Sequence, residues 1–556
     1  MSKLEIVPLG GMGKVTQNMY LYIYDQEILI VDCGIGFPDR YMPGIDILIP
    51  DIYYLLRLIE QGKKIVGMLL THGHDDHIAA TAYILPELPN DFPIYASPLT
   101  AGFAKQRMGD DGGAKREITV IKDKKTFDVG QYFKVTPYAV THSVPDTKHF
   151  TIETPEGIIY HGTDFKLDDH PVDGVKTDLD SIQEIGKKGV LCMLIDCLRV
   201  EKSERTLSES TTGPAIEKAM AQTQGKFVIT LMSSHIHRIQ QAVNAAKKHQ
   251  RKVVFIGRSV EQNVETALEL GKLDISRETL IDKRDIDDYR DEELCVIIAG
   301  SQGQEGSSMM RAIFGDHRLI RINPHDLVVF SAGPIPGNEL NYFGAIDELS
   351  RNRVRVLYPA IMPNLHQSGH ASAPEQKDLV DLISPKYVMP IGGADRHRLK
   401  FVEFVTAPLG IKDQQVLLPD DGDVVSFVNG QVKIKNSFEV RPRMVDGKGI
   451  GDVGPVVLSD RRALGEAGII VLVIPKIKGR LDLLNMLVVS RGFVFMKEAD
   501  EVIKFIKDET AKIINSLKGD ISDYKFKQAI DRRLSKKLYK IIQREPLIVP
   551  VIYEVR

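Results

Sequence analysis

Imidazole and carboxylate side chains crowd into six positions of this chain, directly after a run of apolar residues. The segment Val66–His77 reads VGMLLTHGHDDH, so His72, His74, Asp76 and His77 follow what the pattern predicts to be a buried strand. Neutral imidazoles and carboxylates are the usual ligands of Zn²⁺, and the same mixture suits Mn²⁺. A polar loop with histidines by chance is the alternative. The H-x-H-x-D-H order favours a metal site.

Two further polar residues follow strand-like segments downstream. In Tyr138–Asp146, which reads YAVTHSVPD, an apolar stretch leads to His142; in Gly157–Lys166, which reads GIIYHGTDFK, another leads to Asp164. Taken alone, His142 would be an ordinary loop histidine. Loops at one edge of a sheet commonly gather to form a functional site. We therefore expect His142 and Asp164 to join the first cluster.

Two other segments carry candidate functional groups. Asp32 ends the strand-like stretch LIVDCG, where its carboxylate either bonds backbone amides or steadies metal-ligating imidazoles. The segment His366–His370 reads HQSGH. Its two imidazoles, hydroxyl and glycine would let a phosphate approach side chains and backbone amides closely. The alternative for these histidines is hydrogen bonding at a domain interface.

The composition limits the class of protein. A chain of 556 residues is too long for one core, so we expect about three domains. A net charge of −3 excludes a global basic field, so any nucleic-acid surface must be a local groove. The four cysteines show no disulfide or zinc-finger spacing, which predicts reduced thiols and a cytoplasmic protein. No signal peptide or membrane-length apolar run is visible, so we expect no membrane span.

Apolar periodicity divides the chain into three parts. The first part begins with strands and then has helices at 50–61 and Ile78–Leu88. From about 201 to 360, strands and helices alternate, which is typical of a doubly wound parallel α/β domain. The C-terminal part is predicted as a linker, four strands, helices at about 498–517 and 523–543, and a final strand. These strands are Val456–Leu458, Ile469–Pro475, Leu487–Ser490, Phe493–Met496 and Leu547–Val555.

The motifs together resemble a known family. The H-x-H-x-D-H cluster, His142 and Asp164 resemble the metallo-β-lactamase superfamily. HSVPD, GTDFK and DCGIGFPD, with SSHIHRIQQ, GSQGQ, VVFSAGPIPGNE, HQSGH and SRGFVF, resemble its β-CASP branch and, within that, ribonuclease J, over essentially the whole chain. The fold that this implies is an α/β metallo-β-lactamase αββα sandwich, interrupted by an inserted α/β β-CASP domain and followed by a small C-terminal α/β domain. The implied bounds are 1–200 with 361–435, 201–360, a linker at 436–453, and 454–556.

The resemblance also implies an activity. It implies a metal-dependent 5′-to-3′ exonuclease and endonuclease in RNA processing and decay, acting on single-stranded RNA with a 5′ monophosphate. Up to two Zn²⁺ or Mn²⁺ ions per chain are implied, with Asp76 and His370 as catalytic residues and Asp196 orienting a ligand imidazole. The implied metal ligands are His72, His74, Asp76, His77, His142 and Asp164, and the implied substrate-binding residues are His366, Gln367, Ser368, Gly369 and His370.

The chain departs from the family pattern at one ligand position. The pattern resembles P-V-H-G-E-Y-R, whereas Pro390–Arg396 reads PIGGADR, so Gly392 stands where a ligand histidine is expected. We expect the first metal to be held by His72, His74 and His142 and the second, left with Asp76, His77 and bridging Asp164, to bind weakly. Whether Asp395 or His397 substitutes for the missing ligand stays open.

A second departure follows Asp196, where DCLRVE replaces a pattern like D-S-T-N-A-E. Both losses resemble the second, weakly active ribonuclease J paralogue, which is implied to pair with an active sister subunit. A homo-dimer or a hetero-oligomer is therefore expected, supported by the C-terminal domain. Two alternatives remain: a largely non-catalytic partner subunit, and a small-molecule metallo-hydrolase.

Overall fold

The chain forms two compact units in a computed structural model that describes residues 3–109, 116–335, 338–435, 438–447, 449–493, 499–517 and 523–555. One unit consists of Met1–Phe37 and Leu48–Arg443, and the other of Pro38–Ile47 and Met444–Arg556. The short segment Pro38–Ile47 thus belongs with the C-terminal residues, which the sequence did not predict. Within the described residues, no helix is both long enough and apolar enough to cross a bilayer.

Two sheets pack face to face in the first unit. Their facing side chains, including Tyr22, Val31, Phe150 and Leu194, form one continuous core. The first sheet has, in order of hydrogen-bonded neighbours, Gln431–Lys435, Val424–Val428, Leu4–Gly10, Met19–Tyr24, Glu27–Val31, Lys64–Leu70, Ile94–Ala96 and Ile118–Val120. The second has Tyr387–Ile391, Val190–Asp196, Gly157–His161, Lys148–Thr154, Phe133–Ala139 and Phe127–Val129.

Helices complete this sandwich. They are Tyr53–Glu60, Asp75–Ile78, Thr81–Ile84, Pro98–Gly109, Leu179–Lys188, Ala373–Ile383 and Asp395–Phe401. Short strands at Met12–Gly13 and Gly393–Ala394 pair in parallel, and a third short strand is Ile47–Ile49. The helix predicted over Ile78–Leu88 is confirmed only in part, because the structure has two short α-helices there, Asp75–Ile78 and Thr81–Ile84, and Pro86 falls in a 3₁₀ turn, Leu85–Glu87. Proline has no N–H with which to continue an α-helix.

The register of the parallel strands brings the candidate residues to one edge of the sandwich. In the first sheet, Val31 pairs with Leu69, so Asp32 and the His72–His77 segment leave their strands side by side. In the second sheet, Asp196 pairs with Ile391 in parallel, which places Gly392 beside it. Lys148 N–H donates to the carbonyl of Thr71 and joins the two edges. Four chain segments that are distant in sequence therefore end close together.

The inserted region forms a five-stranded parallel sheet, which confirms the predicted doubly wound pattern. Its strands, in spatial order, are Lys252–Ile256, Leu294–Ile298, Phe227–Thr230, Leu327–Phe330 and Arg355–Leu357. Its helices are Thr212–Ala221, Ile236–Lys248, Arg258–Glu269, Ser308–Ile313 and Glu339–Arg351. The apolar strands are buried from both faces, as expected of a parallel sheet covered by helices. The predicted α/β class, a two-sheet sandwich with an inserted α/β domain, is confirmed.

The C-terminal unit packs helices against a small sheet. Its strands are Ile469–Ile477, Arg480–Leu481, Leu487–Arg491 and Leu547–Val555, and its helices are Pro455–Ala467, Ala499–Ser516 and Asp523–Ile542. Two short strands, Arg443–Asp446 and Gly449–Ile450, lie in the stretch predicted as a linker. Of the predicted strand Phe493–Met496, residues 494–496 lie outside the described residues.

The strand predicted at Val456–Leu458 is wrong. These residues lie in the first turn of the helix Pro455–Ala467, which has Pro455 at its first position and ends at Gly468. Pro is well placed at the start of a helix, and Gly after its end. Three consecutive apolar residues cannot distinguish a strand from a helix by periodicity alone. Val456 is 73% exposed and Leu458 only 7%, a difference that a strand with both side chains on one face would not show.

We expect Val456→Ala to leave the melting temperature unchanged or to raise it slightly. At an exposed helical position, alanine has a helix propensity more favourable than that of valine by up to about 0.5 kcal/mol. Leu458→Ala should lower it, because removing a buried leucine side chain costs about 2–5 kcal/mol. Thermal unfolding of both variants, followed by circular dichroism, checks this. Equal losses from both substitutions would favour the strand.

Candidate metal centre

Four donor atoms converge at the edge of the sandwich. His74 Nδ1 lies 3.1 Å from both His72 Nε2 and His142 Nε2. Asp164 Oδ2 lies 3.6 Å from each of those Nε2 atoms. Tetrahedral zinc with bonds of about 2.0–2.1 Å separates its ligand atoms by roughly 3.3–3.4 Å. The observed spacing of the buried donors therefore fits one tetrahedral cation.

The three imidazoles are held neutral. Burial lowers the pKa of His74 to about 3 and holds the pKa values of His72 and His142 well below the usual range. Neutral rings that face each other through ring nitrogens cannot all satisfy those nitrogens with hydrogen bonds to one another. A cation among them would use each lone pair, so the residues present fit a divalent metal.

Neighbouring groups fix which nitrogen of each ring faces the cluster. His142 Nδ1–H donates to the carbonyl of Gly369 at 2.7 Å, which leaves Nε2 with its lone pair toward the cluster. His72 Nδ1 lies 3.0 Å from Thr71 Oγ1, whose hydroxyl donates to Asp32. His77 Nδ1 donates to Asp32 Oδ2 at 2.7 Å. Such outer contacts orient ligand imidazoles and raise their basicity.

A second, poorer set of donors lies beside the first. Asp76, His77 and Asp164 form it, with His77 Nε2 3.8 Å from Asp76 Oδ2 and 3.6 Å from Asp164 Oδ1. A Cβ added at Gly392 would lie 3.8 Å from Asp164 Oδ1 and 3.7 Å from Asp196 Oδ1, with no closer described atom beyond its chain neighbours. Position 392 thus lies at contact distance from Asp164, which belongs to this second set, and glycine supplies no side-chain donor there.

Neither nearby polar residue takes the position that Gly392 leaves open. Asp395 is exposed and lies 3.0 Å from Arg398. His397 is buried, but its Nδ1 accepts the N–H of Ala394, and its Nε2 lies 3.6 Å from Glu201. Among the ligand groups that the described residues form, neither Asp395 nor His397 appears.

The segment His366–His370 lies against the first donor set. The carbonyl of Gly369 accepts from His142, and a Cβ at Gly369 would lie 2.8 Å from the Ser143 side chain and 2.9 Å from a His142 ring carbon. Only glycine fits this contact. Ser368 Oγ accepts the N–H of His370, and His370 Nδ1 lies 2.7 Å from Asp196 Oδ2.

His370 carries a positive charge in this arrangement. Burial would lower the pKa of its imidazole, but the carboxylates of Asp196 and Asp164 outweigh that effect and raise the pKa to about 9. Asp196 therefore orients His370, whereas the sequence predicted that it orients a metal ligand. His370 Nε2 lies 3.9 Å from Asp164 Oδ2, at the margin of the donor cluster.

Sequence reasoning missed two contributors. Asn18 Nδ2 lies 3.1 Å from His77 Nε2 and also within hydrogen-bonding distance of the carbonyls of Val15 and Asp76. Arg238, in the helix of the inserted domain, bonds His366 and the carbonyl of Gln367. Asn18 lies far in sequence from His77, and Arg238 lies far from His366 and Gln367. No spacing pattern signals such contacts, because only the fold brings them about.

Comparison with known proteins identifies the family. Three family models match: Ribonuclease J, beta-CASP domain, at residues 224–349; Ribonuclease J C-terminal domain, at 456–555; and Beta-lactamase superfamily domain, at 27–256. A protein of Thermus thermophilus named Ribonuclease J is 34% identical over 561 residues, covering 99% of this chain and 95% of that protein. This chain belongs to the ribonuclease J family. The predicted resemblance is confirmed.

Other ribonuclease J relatives are similar at the same level. Ribonuclease J 1 of Streptococcus pyogenes is 33% identical over 558 residues, covering 99% of this chain and 98% of that protein. Ribonuclease J2 of Bacillus subtilis is 32% identical over 556 residues, covering 99% of each. Overall identity thus favours neither paralogue, and the assignment to the second one stays a prediction that rests on Gly392 and the segment after Asp196.

One solved structure has the same fold over much of the chain. A protein of unknown function from Enterococcus faecalis superposes with a TM-score of 0.53 at 15% identity, covering 76% of this chain and all of that one. At this identity the match concerns the fold alone. The activity must therefore be argued from the ribonuclease J relatives and from the residues of this site.

We expect Gly392→His to raise the metal bound per chain, because its imidazole would lie beside Asp164, which the second donor set shares. The backbone at 392 has φ of +64°, a conformation that costs a residue with a side chain about 1–3 kcal/mol. Gly392→Ala carries the same backbone cost without a ligand and is the matched control. Metal content is measured by mass spectrometry after dialysis against limiting Zn²⁺ or Mn²⁺. Equal metal content in both variants would mean that position 392 does not face a metal.

Proposed function

We propose that this chain is a metal-dependent ribonuclease of the ribonuclease J type, acting as a 5′-to-3′ exonuclease and as an endonuclease in RNA processing and decay. The observation that carries the proposal is the convergence of four buried donors, from His72, His74, His142 and Asp164, beside the segment His366–His370. The match to a β-CASP domain model supports a nucleic-acid substrate over a small molecule.

A divalent cation held by these donors would supply Lewis acidity to a phosphodiester and activate water for in-line attack. Zn²⁺ or Mn²⁺ suits the donor set, with up to two ions per chain. The chain's own residues do the rest. Asp32 keeps the His72 and His77 rings oriented, and Asp164 faces both donor sets with one oxygen each. Asp76 and His370 are the proposed catalytic residues.

We propose that His370 acts on the leaving group. Its imidazolium can donate a proton to a leaving oxygen or stabilise the charge of the scissile phosphate, since Asp196 binds its Nδ1 and leaves Nε2 toward the donor cluster. Asp76 has a carboxyl whose pKa is raised to about 6, by burial and then by the charge of Asp164.

The substrate is proposed to be single-stranded RNA with a 5′ monophosphate. His366, Gln367, Ser368, Gly369 and His370 would bind its phosphate through side chains and backbone amides. The RNA would then run from this segment toward the donor cluster. The carbonyl of Gly369 accepts a hydrogen bond from His142, one of the donors of that cluster.

The activity is proposed to be weak, because the second donor set lacks the ligand that Gly392 would supply as histidine. Three protein ligands hold a second cation less tightly than four. The same observation favours a second candidate function, a largely non-catalytic subunit that retains RNA and partner binding. The two differ in whether the chain cleaves RNA by itself.

We expect the purified chain to degrade a 5′-monophosphorylated single-stranded RNA in Mn²⁺, with His74→Ala reducing the rate by more than about a hundredfold, since loss of a ligand costs more than loss of an orienting partner. His170→Ala is the matched control, because His170 is exposed and lies outside the donor groups. Decay is followed by gel electrophoresis. Decay that persists unchanged in His74→Ala would come from a contaminant, and absence of decay in the parent chain would favour the non-catalytic subunit.

Partners and compartment follow from the same resemblance. We propose assembly as a homo-dimer or as a hetero-oligomer with a sister ribonuclease J subunit, supported by the C-terminal unit. All four cysteines, Cys33, Cys192, Cys197 and Cys295, are free and buried, which supports a cytoplasmic location.

When this protein is mixed with a ribonuclease J paralogue from the same organism, we expect the molar mass in solution to show a species that contains both chains. The chain alone should give a dimer or larger species, because the proposed interface is then occupied by a second copy. Light scattering coupled to gel filtration measures both. Monomers in each sample would contradict the partner proposal.

A further inference from the structure

Arg238 is a buried charged side chain that the proposed chemistry does not use. It lies in the helix Ile236–Lys248 of the inserted domain and is only 1% exposed. Its Nε donates to Glu209 Oε1 at 2.8 Å and its Nη2 donates to Glu209 Oε2 at 2.6 Å, which makes a bidentate ion pair. Burying a guanidinium is costly unless its charge and its donors are all matched.

The remaining donors of Arg238 connect two segments. Nη1 donates to the carbonyl of Ser331 at 2.7 Å, directly after a strand of the inserted sheet, and contacts His366 Nδ1 at 2.9 Å. Nη2 also donates to the carbonyl of Gln367 at 3.0 Å. One planar group thus ties the His366–His370 segment to the end of an inserted-domain strand. Lysine, a point charge with no planar fork, cannot reproduce these contacts.

The contact also fixes the tautomer of His366. A guanidinium has donors and no acceptor, so His366 Nδ1 must accept from Arg238 and the ring proton must be on Nε2. Burial and the charge of Arg238 lower the pKa of His366 to about 3, so the ring is neutral. A Cβ built on Gly333 would lie 3.7 Å from His366 Cδ2 and 3.9 Å from Nε2, so glycine leaves space beside this edge. The result is a neutral N–H donor beside the gap that Gly333 leaves by having no side chain.

We propose that Arg238 is a positioning residue for recognition of the 5′-terminal phosphate of RNA. It holds His366 as the Nε2–H tautomer, so that this N–H donates to the phosphate, and it holds the segment in register through Gln367. This inference rests on the proposed function, in which His366–His370 binds the substrate phosphate. It adds a specific residue from the inserted domain and a specific hydrogen-bond donor.

The test compares binding of two RNAs that differ only at the 5′ end. The probes are fluorescent single-stranded oligoribonucleotides with a 5′ monophosphate or a 5′ hydroxyl. Their first linkages carry 2′-O-methyl and phosphorothioate groups to block turnover. Fluorescence anisotropy in Mn²⁺ gives both dissociation constants. We expect the parent chain to bind the phosphorylated probe more tightly and Arg238→Lys to lose that preference by about tenfold or more, as for a hydrogen bond to a charged group.

Arg251→Lys is the matched control. Arg251 is also buried in the inserted domain, where Nη1 donates to the carbonyls of Gly225 and Leu294 and Nη2 to that of Thr223. Its described hydrogen bonds do not reach the segment 366–370. We expect this variant to be destabilised without any change in 5′-end preference. Equal loss of preference in both variants would mean a structural effect and would overturn the inference.

The outcomes separate the inference from the proposed function. A folded Arg238→Lys variant that keeps the full 5′-phosphate preference overturns the inference, as does a parent chain without such a preference. RNA decay without 5′-end preference would remove the inference and the proposed 5′-monophosphate specificity, and it would leave the metal-dependent nuclease in place. A 5′-phosphate preference that depends on Arg238, without any decay, would support the inference and contradict the nuclease proposal.

A second measurement needs no change to Arg238. Nitrogen NMR of the ¹⁵N-histidine-labelled full chain, with the His366 signals assigned by their loss in His366→Asn, distinguishes the ring tautomers. We expect the Nε2–H form of His366, unchanged on titration toward mildly acidic pH. The Nδ1–H form, or a protonated ring near neutrality, would overturn the inference even if Arg238→Lys failed to fold.

Discussion

A single buried carboxylate organises the donor cluster. Asp32 accepts the backbone N–H of Thr71 through Oδ1, and through Oδ2 it accepts the Thr71 hydroxyl and His77 Nδ1–H. Its own N–H donates to the carbonyl of Leu69. These bonds fix the end of one strand against the beginning of the histidine-rich segment. They also decide which nitrogen His72 and His77 direct at a cation. The carboxylate is fully buried at a backbone φ of +62°, a strained conformation that the surrounding bonds must offset.

The second donor set has fewer ligand groups than the first because of the residues that follow the strands of the second sheet. Asp164 follows the strand Gly157–His161 and Asp196 ends the neighbouring strand, and both supply carboxylates. The third strand in the row, Tyr387–Ile391, is followed by Gly392. The left-handed conformation at Gly392 turns the chain so that a side chain there would face the carboxylates. The backbone is thus arranged for a ligand that the sequence does not provide. The first donor set does not depend on this position, so the loss is confined to the second set.

Much of the site could be predicted from local sequence, and the rest could not, for physical reasons. The order H-x-H-x-D-H and the polar residues His142 and Asp164 are visible because strands leave a periodic apolar signal and their ends are marked by polar residues. The contacts of Asn18 and Arg238 could not be predicted, although Arg238 lies in the quoted segment SSHIHRIQQ, because they depend on which elements become neighbours in the fold. The Val456–Leu458 error came from a run too short to carry a period. The pairing of Pro38–Ile47 with the C-terminal unit is a long-range contact that composition cannot indicate.

The close packing of Gly369 has a consequence for how the enzyme could change over time. The backbone of the segment that would receive the phosphate lies directly on the His142 ring and the Ser143 side chain, with no room for one more carbon atom. In the proposed nuclease, main-chain packing would set the distance between the bound RNA end and the cleaved bond. Small side-chain substitutions cannot change a contact of this kind gradually. Substitutions in this region could change the affinity for RNA. The distance between the bound RNA end and the cleaved bond would stay the same in related proteins.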